Sequence, residues 1–84
     1  MSVEVLKEQH TLKIIENAEI EDAETIFELL QKEPKLSLDL SECKHLHTSC
    51  LQVLMLMKPN IVAWPKDKGL YMWLSFLKNG KKEG

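Results

Sequence analysis

The sequence predicts one small α/β domain, a mixed four-stranded sheet in the element order β-β-α-β-α-β-α. Three observations lead to it. Short β-branched-rich segments lie at residues 3–6 and 12–15, apolar residues with a period of two at 36–40, and an apolar segment at 61–64 reads as a fourth strand. Apolar-rich stretches of helical length occupy 21–32, 51–57 and 70–77. Helices between successive strands then require parallel crossovers, while the two opening strands are close enough to form an antiparallel hairpin.

Each element has its own signal. The hairpin joins 3–6 to 12–15 through residues 7–11, with Gln9 and His10 near the turn. In the first helix, Ile20, Ala23, Ile26, Phe27 and Leu30 recur at helical spacing and should pack on the sheet. Glu21, Asp22 and Glu24 place carboxylates in its first turn, where the helix dipole favours them, and Pro34 ends it. Leu36, Leu38 and Leu40 alternate with Ser37 and Asp39 as a strand with one apolar face. A tight polar loop follows, and the run from Leu51 to Met57 is apolar enough to predict a largely buried second helix. Lys58, Pro59 and Asn60 stop that helix. Asp67 stands near the start of a last helix in which seven of the eight residues 70–77 are apolar. The domain is expected to span 1–78, with a polar, frayed tail at 79–84.

With 84 residues the chain has room for one core, burying roughly 60% of its unfolded surface. A formal charge of -2 offers no electrostatic case for nucleic acid. No segment approaches the ~20 apolar residues of a membrane span, and the N-terminus lacks a signal-peptide layout, so a cytoplasmic protein is expected. Cys43 and Cys50 are too few and too close to staple a fold, which agrees with a reducing compartment.

The join between the third strand and the second helix carries the functional information. Ser49 and Gln52 have capping-box spacing, and Thr48 is an equal candidate cap. Either arrangement brings a hydroxyl to a helix N-terminus, where a phosphate is electrostatically favoured. The segment LSLDLSECKHLHTSCLQVLM, residues 36–55, resembles the signature of STAS domains, the family of the anti-sigma-factor antagonists. In that signature a strand ending Asp-Leu-Ser leads to an Asp-Ser-Ser-Gly-Leu turn and a helix. Asp39, Leu40 and Ser41 match the strand end, Leu46 the apolar position before the turn, and Leu51 the start of the helix. His47 stands in place of the Asp, Thr48 and Ser49 keep the two hydroxyls, and Cys50 replaces the Gly. The resemblance implies a STAS-like fold and a protein partner, either a regulatory kinase or a complex subunit; no catalytic constellation is identifiable in the residues, so neither enzyme activity nor a cofactor is expected. The resemblance also implies phosphorylation of Ser49 first and Thr48 second. Partner contacts are then expected from Glu42, Lys44, His47, Cys50 and Gln52. Family members run on with a further strand and helix, so the last helix here is expected to close the core alone. Trp73, Leu74 and Leu77 then serve either as core or, with their neighbours at 70–77, as a homodimer face.

Two other chemistries fit the same stretch. Cys43, His45, His47 and Cys50 lie within eight residues, and an extended chain would set 43, 45 and 47 on one side, so a small metal- or ligand-binding protein is the alternative. Against it, structural zinc sites draw on two separated ligand pairs, and no second pair is present. Cys50 in a first helical turn could have a dipole-lowered thiol pKa, or simply be a packed small residue in place of Gly.

Overall fold

The alternation of Leu12 and Ile14 with Lys13, and of Leu38 with Ser37 and Asp39, sorts a sheet into two unlike faces. The computed structural model describes residues 3–83 of the backbone, and side chains through residue 75. Strand β1 (Val3–Leu6) pairs antiparallel with β2 (Thr11–Ile14). A single 3-10 turn, Lys7–Gln9, joins them and closes on His10, whose φ of 51° lies in the left-handed region. Strand β3 (Glu16–Ala18) then leads into helix α1 (Ile20–Lys32). Strands β4 (Ser37–Asp39) and β5 (Cys43–Leu46) precede helix α2 (Thr48–Met57). Strand β6 (Asn60–Ala63) and helix α3 (Lys68–Glu83) complete the chain.

The main sheet has the order β1-β2-β4-β6, with β2, β4 and β6 parallel, so the mixed four-stranded α/β architecture expected from the sequence is present. Leu12, Ile14 and Leu38 on its apolar face form one core with Ile26, Leu30, Leu54 and Leu74 of the three helices. The opposite face carries Glu4, Lys13 and Asp39 in register across β1, β2 and β4, a row of alternating charge. The Cα radius of gyration, 11.5 Å, is that of a compact globule, about 12 Å being usual at this length.

A second sheet is the main departure from expectation. Residues 41–47, read as a polar loop, contain β5, which pairs in parallel with β3. Both strands arise because their predecessors bend. The chain turns after β2 at Glu16, whose φ of 61° is costly for a residue with a Cβ. It turns after β4 at Ser41, where the Asp39 carboxylate accepts from the Ser41 N–H at 2.9 Å and from its hydroxyl at 2.7 Å. The two bends are tied together by the Glu16 N–H, which donates to the Glu42 carbonyl at 2.8 Å. Beside them the Lys13 ammonium meets the Glu42 carboxylate at 2.6 Å, which holds Lys13 above its ordinary pKa. Such turn chemistry lies in side-chain to backbone bonds, to which periodicity is blind.

Three expectations about burial are corrected. Helix α2 is not largely buried: Cys50 and Leu54 are, whereas Met55 and Leu56 are 56% and 70% exposed. Its apolar residues run all round the helix, but only one side can meet the core. Ile20, expected on the core face of α1, is 59% exposed because it opens the helix at the edge of the packed face. Trp73, for which a place in the core was one of two expectations, is 64% exposed, while Leu70 and Leu74, four residues apart, turn inward. Asp67 does cap α3, accepting from the Leu70 N–H at 2.9 Å. Near this start the Tyr71 ring lies 5.2 Å from the half-buried Trp64 ring. The backbone of α3 extends into the segment expected as a frayed tail, and the side chains of Phe76 and Leu77 lie outside the described residues.

Candidate functional site

The second sheet positions the start of α2. Its ladder ends where the His47 N–H donates to the Ala18 carbonyl at 2.9 Å. His47 is then the residue that caps the helix. Its carbonyl accepts from the N–H groups of Cys50 and Leu51, and its ring Nδ1 accepts from the Ser49 N–H at 3.1 Å. Neither Ser49 nor Thr48 is the cap, as their hydroxyls had suggested; both lie inside the first turn. The Ser49 hydroxyl lies 2.7 Å from the same ring nitrogen. Nδ1 can accept the bond from the Ser49 N–H only in the tautomer that carries the ring proton on Nε2. An imidazole thus occupies the acceptor position that an Asp side chain fills at many helix starts.

The capping box instead belongs to α1, where the Asp22 carboxylate accepts from the Glu19 N–H at 2.7 Å. The two helix starts are joined by the Cys50 thiol, which donates to the Glu19 carbonyl at 3.2 Å. Burial, helped by the Asp22 and Glu19 charges, pushes this thiol up to about 11 against the lowering influence of the His47 backbone. The lowered pKa considered from sequence is therefore overturned, and Cys50, fully buried, cannot touch a partner.

The same geometry disperses the cysteine and histidine cluster. Cys43 is buried, donates weakly to the His45 carbonyl at 3.6 Å, and is likewise pushed up to about 11 by burial. His45 is exposed, since the register of β5 shifts against β3 between its paired residues, so residues 43, 45 and 47 do not share one side. Among the described residues, no three His, Cys, Asp or Glu side chains are grouped to hold a metal ion. The metal alternative on Cys43, His45, His47 and Cys50 therefore lacks a converging ligand set.

Of the residues expected to meet a partner, Glu42, Lys44 and Gln52 are exposed and His47 is half-buried. Thr48 is exposed, and the half-buried Ser49 opens onto a feature the sequence did not reveal. Helices α1 and α2 leave an open groove between them, about 420 Å³ in volume, lined by Ala23, Glu24, Phe27, Ser49, Gln52, Val53 and Leu56. Phe27, Val53 and Leu56 had been read as core residues. The available signal was an apolar surplus, because both helices carry more apolar residues than one buried stripe can use. Tyr71, Met72 and Trp73 expose a second apolar strip on α3.

No match is found when the chain is compared with models of known protein families, with curated proteins and with solved structures. Among the described residues no helix is long and apolar enough to cross a membrane.

Proposed function

We propose that the chain is a protein-interaction module of the STAS kind, resembling an anti-sigma-factor antagonist. In this reading it docks a regulatory kinase or a complex subunit through residues 42–57, and its role is binding rather than catalysis. One observation supports the reading above the others: the Ser49 hydroxyl, the first candidate for phosphorylation, stands on the rim of the apolar groove between α1 and α2. A phosphate there adds roughly -1.5 to -2 charge to the edge of the docking surface, next to the His47 ring. The strength of docking or the choice of partner then changes without any change in the core. Thr48, exposed on the same turn, is the second candidate.

The test begins with the protein recovered from its own cells. Mass spectrometry of the peptide spanning 44–58 should find phosphate on Ser49 or Thr48, and a photo-crosslinker placed at position 52 should capture a partner. Ser49→Asp should change affinity for that partner at least tenfold while leaving the thermal transition within a few degrees. Equal binding by Ser49→Asp and wild type would remove the switch. A partner whose crosslinks lie wholly outside 42–57 and the groove would remove the docking site.

A further inference from the structure

The groove has unlike walls. On the α2 side it is lined by Ser49, Gln52, Val53 and Leu56, and α2 contains no charged residue from Thr48 to Met57. On the α1 side lie Ala23 and Phe27, with Glu24 at the lip. Glu21 and Glu28 stand three residues before and four residues after Glu24, so all three carboxylates fall on one side of α1; Glu24 lines the groove itself, and Glu28 lines a neighbouring hollow with Thr25 and Lys32. All three are exposed, and α1 offers only Lys32, in its last turn, as a balancing cation. Leu56, 70% exposed, is the most open apolar side chain of the lining.

An apolar trough between two helices accepts the apolar stripe of a third, read as anchors at i, i+3, i+4 and i+7. Carboxylates along the α1 side select the charge of what flanks that stripe. We infer that the partner element seated in the α1–α2 groove is an amphipathic helix, with an apolar stripe on Phe27, Val53 and Leu56 and Lys or Arg residues facing Glu21, Glu24 and Glu28. This inference rests on the docking reading above and names the chemistry of the partner. A helix flanked by acids is excluded by repulsion from these carboxylates, and a purely apolar one gains nothing from them.

The experiment is an NMR titration of the full chain with three synthetic peptides of about 18 residues, long enough for five helical turns. One has an apolar stripe flanked by Lys and Arg, one the same stripe flanked by Glu, and one the basic composition scrambled to destroy the stripe. Only the first should shift the amides of Ala23, Glu24, Phe27, Gln52, Val53 and Leu56. Its affinity should fall at least tenfold in the double variant Glu24→Lys, Glu28→Lys, and several-fold between about 50 and about 500 mM salt. Leu56→Asp should abolish binding, and since Leu56 is exposed, that variant keeps its fold. Equal binding of the acidic peptide, shifts outside the groove, or no binding by the basic peptide would overturn the inference. If the basic peptide fails while Leu56→Asp still releases the crosslinked native partner, the docking module survives and only the basic helix is lost. If Leu56→Asp leaves that partner bound, the groove is not its seat and the inference falls; if its crosslinks also lie wholly outside 42–57, the docking reading falls with it.

Discussion

Single side chains decide the turn on which docking depends. His47 caps α2 through Nδ1, so His47→Ala should cost about 1 kcal/mol, whereas His47→Asp restores an oxygen acceptor and should cost little. Chemical denaturation at pH 7.5 separates the two. For Asp39, burial alone would raise the carboxyl, but the two hydrogen bonds from Ser41 and the Lys13 charge outweigh it and hold the group below its ordinary value. The sign follows: this contribution is complete above about pH 4, where the unfolded carboxylate is ionised, and is lost as the pH falls through the lower folded value. The stability gap between wild type and Asp39→Asn should therefore shrink between about pH 5 and pH 2. The cysteines run the other way. With both thiols pushed up to about 11, their contribution holds below about pH 8.5 and is lost as the pH rises toward 11. A thiol reagent at pH 8 should label the native chain at least a hundredfold more slowly than the chain in urea; equal rates would contradict the burial of Cys43 and Cys50.

Among the elements, α2 is the one whose reading from sequence misled, and the reason is physical. Leu51, Val53, Leu54, Met55, Leu56 and Met57 are similar in hydropathy, so no periodicity distinguishes the inward side from the outward one. Packing makes the distinction. Leu54 is fully buried, and Leu54→Ala should cost about 2 to 5 kcal/mol, while Leu56→Ala at the groove should stay within about 0.5 kcal/mol. Thermal melts of the two variants test this directly, and similar losses would mean that Leu56 is covered within the domain. The short strands β3 and β5 escaped the reading for another reason. Glu16–Ala18 has no alternation of apolar and polar residues, and β5 carries a charged and an imidazole side chain in its middle.

Across the molecule, the surface divides by chemistry. The open sheet face carries the row Glu4, Lys13 and Asp39, extended by the Lys13–Glu42 pair, and needs no cover. The helices hold the larger apolar features, namely the α1–α2 groove and the Tyr71, Met72 and Trp73 strip on α3, while the sheet exposes Val62 on β6. A homodimer formed through residues 70–77 predicts concentration-dependent sedimentation that Trp73→Ser abolishes. A monomer at all concentrations would leave the groove as the principal docking face. Loss of partner binding in Leu56→Asp but not in Trp73→Ser would separate the two surfaces.

By itself the sequence determined the fold class, the opening hairpin, the span of α1, the strand at Leu36–Leu40 and the start of the last helix near Asp67. Each is encoded locally, in alternation, helical spacing or a capping side chain. It also marked residues 47–49 as the chemically distinctive turn. Only the tertiary structure decided that His47 rather than Ser49 caps α2, that the thiols are buried beyond reach, and that Ser49 borders a groove. These outcomes depend on which surfaces of α1, α2 and the second sheet face one another. That choice is made by long-range packing and by bonds such as His47 N–H to Ala18 and the Cys50 thiol to Glu19, between residues distant in the chain.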